Sequence, residues 1–220
     1  MNSSDTHHYS DRLIKKLESL DTQHNLDFDL INKAIDWAKK YHSGQFRKSG
    51  EPFYTHPLEV AYMISDYKLR TSVIVSSILH DIIEDTEVTV EMILDDFGWR
   101  IAEMVDRLTR DRPDGTRLSV EKILYNAYQK QDTDVLLIKL VDRLHNMNTI
   151  TAQPEEKQLR TIQETLQYFL AIAEALEAPY LIDHLYDECY ENNVNLGVIK
   201  AEEPVFDNQT LFDLLASENS

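Results

Sequence analysis

Four residues kept apart by long stretches of chain, His56, the adjacent His80 and Asp81, and Asp142, have the types to hold a metal ion. Each lies in or beside an apolar helical pattern, where an imidazole or a carboxylate has no cheap reason to be. A buried, uncompensated carboxylate costs more than one helix recovers, so such groups are paired or bind a cation. Two imidazoles and two carboxylates make a mixed nitrogen and oxygen donor set, better suited to Mn²⁺, Fe²⁺ or Zn²⁺ than to Ca²⁺. Just beyond the His-Asp pair come Glu84 and Asp85. His80 and Glu84 stand four apart, as do Asp81 and Asp85, which stacks them on neighbouring strips of one helix end. Four ionisable groups so close repel and desolvate one another unless a cation or a proton intervenes. A solvated acidic helix end would explain Glu84 and Asp85, but not His80 and Asp81 inside the apolar run ILHDII.

Asp142 sits in VLLIKLVDRLHNM, beside an apolar stripe through Leu137, Leu140, Val141, Leu144 and Met147. Asn146, one turn on, shares its face. Taken alone, Asp142 serves equally well as a salt-bridge partner for Lys139 or Arg143. His56 alone decides nothing, and His42 and His145 read as packed or hydrogen-bonded structural histidines. The case rests on the set. Away from it, the segment SGQFRKSGEP carries Arg47 and Lys48, a local basic pair that offsets the charge of an anionic ligand. The planar guanidinium of Arg47 is also suited to stacking on a base, which lysine does less well.

The elements that must position these residues are helical. Residues 1–26 are polar, with one short helix expected at 9–19, and His7-His8 belongs to that end rather than to a metal site. From 28 to 42, Ile31, Ala34, Ile35, Ala38 and Tyr41 recur with the period of an amphipathic helix. Glycines and a proline break the pattern at 43–52, and Pro57 opens a helix over 57–67 with His56 just ahead of it. Residues 71–84 are apolar nearly all round, the mark of a central buried helix. Further helices are expected at 89–96, 99–109, 119–131, 134–148, 154–177 and 179–191, with an exposed loop at 110–117. The sequence therefore reads as an all-α helical bundle of about eight to ten helices. Its expected organisation is a polar segment 1–26, one globular domain over 27–195 and an acidic extension over 196–220.

The formal charge of −17 disfavours nucleic-acid binding, which demands a basic surface, and attachment to anionic membranes. A small phosphorylated ligand stays compatible, because a pocket needs only a few local cations. A single cysteine, Cys189, fits a reducing compartment, and neither a signal peptide nor a spanning segment is apparent. A cytoplasmic protein is expected, of open oligomeric state.

Three stretches, HSGQFRKSGEPFYTHPLEVA (42–61), LHDIIEDT (79–86) and IKLVDRLHNMNT (138–149), resemble in order and spacing the hydrolase domain of the RelA/SpoT alarmone enzymes. That domain belongs to the HD phosphohydrolase superfamily, and the resemblance covers roughly residues 28–195. With no synthetase domain following, the chain looks like the stand-alone small alarmone hydrolases, the group of the metazoan SpoT homologues. The resemblance implies that His56, His80, Asp81 and Asp142 ligate one Mn²⁺ ion and that Glu84 and Asp85 position and activate the attacking water. It implies further that Arg47, Lys48, Asn146 and Thr149 meet the nucleotide. The implied reaction removes the 3′-pyrophosphate from (p)ppGpp, giving GDP or GTP. The rival readings are an HD phosphohydrolase for another nucleotide, such as ppApp, or an alarmone-binding module without catalysis. Two positions depart from the family pattern: Arg107 stands where a glycine is usual, and Asn148 where a basic residue is usual.

Overall fold

The computed structural model describes residues 3–111 and 115–197. Arg112, Pro113 and Asp114 of the expected 110–117 loop, and 198–220 of the expected C-terminal extension, lie outside them. The chain divides into two compact units, Met1–Ile123 and Leu124–Ser220. Twelve α-helical segments and no strand occur among the described residues, so the fold is all-α as expected. None of these helices is long and apolar enough to cross a membrane.

The first unit is built around α4 (Thr71–Leu79), which packs against α2 (Phe28–Tyr41), α3 (Thr55–Ile64) and α7 (Trp99–Leu108). Every residue from Val73 to Leu79 is buried, as the all-round apolar pattern requires. α2 starts where the Asp27 carboxylate accepts from the Leu30 N–H at 2.9 Å, and buries Ile31, Ala34, Ile35 and Ala38 on one stripe. α6 (Val90–Phe97), capped by Thr89, meets α7 through Gly98, whose φ of +83° turns the chain between them. The first helix, α1 (Ser3–Leu20), starts six residues ahead of the expected one at 9–19 and packs on α3. Its Leu13 and Leu17 are fully buried, and Lys16 donates to the Tyr62 carbonyl at 2.7 Å. That apolar anchor explains why a polar segment holds a long helix.

The sequence expectation and the structure part company at two further places here. α3 begins at Thr55, so His56 lies inside the first turn rather than before it; Pro57 follows in that turn, where its missing N–H costs nothing. The expected continuous helix over 71–84 is two pieces, α4 and the short α5 (Ile82–Asp85), parted at His80-Asp81. His80 Nδ1 lies 2.7 Å from the Ser77 carbonyl, the acceptor that the Asp81 N–H would take in an unbroken helix. The side chain thus competes with the ladder at the point where the helix stops.

The second unit contains α9 (Thr133–Asn148), capped by Asp132, and α12 (Pro179–Asn195), which pack together. Met147, Ile150, Ile162 and Cys189 form a core cluster there. Burial pushes the Cys189 thiol up to about 12, so it is an inert packing group. The expected helix over 154–177 is α10 (Glu155–Glu164), a π-helical turn over Thr165–Phe169, and α11 (Leu170–Ala175). The Thr161 carbonyl there accepts from the Thr165 hydroxyl at 2.7 Å and from Arg143 at 3.2 Å. The Thr165 N–H reaches the Thr161 and Ile162 carbonyls as well, so this oxygen is crowded with donors where the helix widens. α8 (Val120–Gln129) spans the boundary between the units.

Candidate metal centre

Two of the expected ligands are histidines presented by separate helices. His56 enters from the first turn of α3 and His80 from the end of α4; both are buried, with ring centroids 5.1 Å apart at 71°. Asp81, half-buried at the start of α5, places Oδ2 3.1 Å from His80 Nε2 and 3.5 Å from His56 Nε2. A carbonyl only accepts, so His80 Nδ1 carries the proton it gives to Ser77, and Nε2 is the ring nitrogen that faces Asp81. Fixing one ring nitrogen on a backbone carbonyl is how a metal-ligating histidine is normally oriented. Two imidazole nitrogens and a carboxylate oxygen therefore converge on one spot, which is the donor chemistry of a divalent transition-metal site.

The support around this spot comes from the 43–53 loop. His42 is buried and stacks on Phe53 at 4.7 Å, and Phe53 meets His56 edge-on at 6.3 Å. Its Nδ1 lies 2.9 Å from Gln45 Oε1, while Gln45 Nε2 donates to the Asp85 carbonyl at 2.7 Å. The imidazole is held neutral, because burial lowers its pKa. His42 is thus a structural residue, as its sequence context indicates, and Gln45 ties the loop to α5. Arg47 and Lys48 lie on this same loop, closed by a bridge between Phe46 and Pro52 and by the Arg47 N–H donating to Glu51 O at 2.8 Å. Asp142, Asn146 and Thr149 lie on or at the end of α9 in the second unit. There Asn146 Nδ2 donates to Asp142 Oδ1 at 2.7 Å, the shared face read from their spacing. The Thr149 hydroxyl lies 3.3 Å and 3.4 Å from the His145 and Asn146 carbonyls. Arg143 forms its ion pair with Glu164 at 3.1 Å.

A family model described as the HD domain matches residues 34–178 of this chain. The chain belongs to the HD-domain family. Among curated relatives of this HD-domain protein, a GTP pyrophosphokinase of Myxococcus xanthus is 41% identical over 169 residues, covering 73% of this chain and 22% of the relative. A guanosine-3′,5′-bis(diphosphate) 3′-pyrophosphohydrolase of Haemophilus influenzae is 35% identical over 161 residues, covering 70% of this chain and 24% of the relative. The chain thus spans about a quarter or less of the curated relatives it matches. A solved structure described as a metazoan orthologue of SpoT that hydrolyses ppGpp aligns with a TM-score of 0.54 at 18% identity. It covers 86% of this chain and 95% of that one, and at this identity the likeness speaks for the fold.

The acidic pair of this HD-domain site is split by its surroundings. Glu84 is half-buried and both its oxygens are taken: Oε1 accepts from the Arg110 N–H at 2.6 Å and Oε2 from Arg117 Nη2 at 3.1 Å. Asp85 is more open to solvent, and its carboxyl is pushed up to about 6, first by desolvation and then by the negative charges of Asp81 and Glu84. Asp85 keeps water contact, which weakens the desolvation and leaves the crowding of like charges as the main cause. A nearby divalent cation would relieve that crowding, so the acidic pair fits the group that the donor set implies. The sequence reading missed Gln45, Arg110 and Arg117. The loop RDRPDGTR was visible, but its pairing of Asp111 with Arg117 and its reach to Glu84 had no local signature. Arg107, the departure from the family's usual glycine, makes an i,i+4 ion pair with Glu103 on α7.

Proposed function

We propose that this chain is a Mn²⁺-dependent hydrolase that removes the 3′-pyrophosphate from guanosine tetra- and pentaphosphate, yielding GDP or GTP and pyrophosphate. The observation that carries this reading is the convergence of His56 Nε2, His80 Nε2 and Asp81 Oδ2, with the Glu84-Asp85 pair one turn beyond. The 35% identity to the Haemophilus influenzae pyrophosphohydrolase, over 70% of the chain, supports the substrate. Asp142, oriented by Asn146, is the fourth proposed ligand. The bound ion would polarise a phosphoryl oxygen and lower the pKa of a coordinated water.

The chain's own residues do the rest. Glu84, with its oxygens held, orients the water, and Asp85 accepts its proton. The water oxygen forms a bond to the phosphorus carried on the ribose 3′-oxygen. The bond from that phosphorus to the 3′-oxygen breaks, and the 3′-oxygen leaves with the proton that Asp85 took from the water. No serine or cysteine nucleophile is needed. Arg47 and Lys48 offset the substrate's charge on a protein of net charge −17, and Arg47 stacks on the base. Asn146 and Thr149 complete the nucleotide pocket in this scheme. The acidity and the single cysteine support a cytoplasmic setting, and the acidity disfavours a nucleic-acid or anionic-membrane partner.

Purified protein is incubated with ppGpp, pppGpp or ppApp in Mn²⁺, Mg²⁺ or Zn²⁺, and the products are resolved by anion exchange. Pyrophosphate release from the guanosine compounds, fastest in Mn²⁺, is the expected result. Release from ppApp alone would transfer the assignment to an adenine alarmone. No pyrophosphate from any of the three would sink the hydrolase reading.

A further inference from the structure

Glu84 receives a backbone donor from 26 residues along the chain and a guanidinium from 33 residues along it. Both come from one small structure. Asp111 and Arg117 form an antiparallel bridge, with the Leu118 N–H donating to the Arg110 carbonyl at 2.9 Å and Arg110 Nε to the Leu118 carbonyl at 3.0 Å. Arg117 Nε lies 3.4 Å from Asp111 Oδ1, so its guanidinium spans a carboxylate of its own loop and the Glu84 carboxylate. A fork of fixed donors gripping two carboxylates fixes orientation as well as charge. An exposed arginine adds little to the stability of a fold through such a pair. Its side chain keeps 56% of its exposure, whereas Glu84 keeps 12%. Its contribution therefore lies in the aim of Glu84.

We infer that Arg117, with the Arg110 N–H, is a positioning residue that locks the Glu84 carboxylate in the orientation required for water activation. This inference rests on the hydrolase reading above. Glutamate has three rotatable bonds between backbone and carboxylate, and in a site where a misplacement of about 1 Å can cost a hundredfold in rate, leaving them free is expensive. The clamp removes that freedom from outside the acidic helix itself. It leaves Asp85, the more solvent-open carboxylate, available to take the proton.

The test is steady-state pyrophosphate release from ppGpp by the full chain in Mn²⁺, comparing wild type, Arg117→Ala, Arg117→Lys, Glu84→Ala and the Arg117→Ala/Glu84→Ala double variant. Arg117→Ala should lower kcat about 10- to 100-fold with KM within about twofold and Mn²⁺ stoichiometry unchanged, the size expected for an outer partner. Arg117→Lys, which keeps the charge but not the fork, should recover part of kcat. Adding Arg117→Ala to Glu84→Ala should cost nothing further, because the clamp then has nothing to hold. Undiminished kcat, a raised KM at constant kcat, or losses that multiply in the double variant would each overturn the clamp. Wild type without turnover would overturn the hydrolase reading itself, whereas an active wild type with any of those three patterns overturns the clamp alone.

Discussion

Two buried polar clusters in this chain use the same kinds of side chain to opposite ends. In the second unit, Arg143 pairs with Glu164 at 3.1 Å, donates to the Thr161 carbonyl and lies 4.2 Å over the Phe169 ring. Burial lowers the Arg143 pKa, while the Glu164 charge works against that shift. Cation, anion, carbonyl and ring match one another, and the cluster is closed. In the first unit, His56 Nε2, His80 Nε2 and Asp81 Oδ2 turn toward one point, with Glu84 and Asp85 adding two more acidic groups nearby. Acceptors outnumber donors there, and the arrangement is complementary to a cation. Buried charge alone does not mark a functional site; the balance of donors and acceptors does.

The largest effect is expected at Asp81. Asp81→Ala should abolish Mn²⁺ binding and turnover together, by calorimetry and pyrophosphate release. Glu84→Ala should keep the ion and lose roughly 10²–10⁴ in rate. If Glu84→Ala loses Mn²⁺ as readily, the division between ligands and water-orienting groups is wrong. The closed cluster should respond differently. Arg143→Ala should lower unfolding stability by roughly 3 kcal/mol in urea titration, since it strands the partly buried Glu164. It should leave Mn²⁺ stoichiometry unchanged, and a loss of metal in this variant would erase the contrast.

The smallest effect is one of charge. In metal-free protein, carboxyl-labelled NMR should find Asp85 titrating near 6, well above its ordinary value of 3.8. Since the folded pKa is raised, its contribution to metal-free stability is full below about pH 4 and is lost as pH rises through about 6. Saturating Mn²⁺ should move the titration downward, because a neighbouring cation favours the carboxylate. No movement would place Asp85 away from the ion.

Much of the fold was legible because helices advertise their buried stripes. Ile31, Ala34, Ile35 and Ala38 are buried as their spacing requires, and the run from Val73 to Leu79 is buried all round. Of the two long helices that the sequence predicts as continuous, one stops where His80 Nδ1 bonds the Ser77 carbonyl, and the other widens into a π-helical turn over Thr165–Phe169. Periodicity is blind to such breaks, since the apolar pattern continues across both. Of the candidate ligands picked out by type, His56, His80 and Asp81 lie side by side. The holders of Glu84 were not, because Arg110 and Arg117 reach it through a fold that brings distant segments side by side.

The bond from His80 Nδ1 to the Ser77 carbonyl has a consequence for how this site can change over generations. The Ser77 side chain is occupied elsewhere, donating to Val73 O at 2.8 Å, and only its main chain touches the imidazole. Any amino acid at position 77 supplies that same carbonyl. The orientation of the His80 ring, a proposed ligand, is thus written into the path of the helix rather than into a neighbouring side chain. Point substitution at the contact residue cannot erase it; only re-routing the end of α4 can.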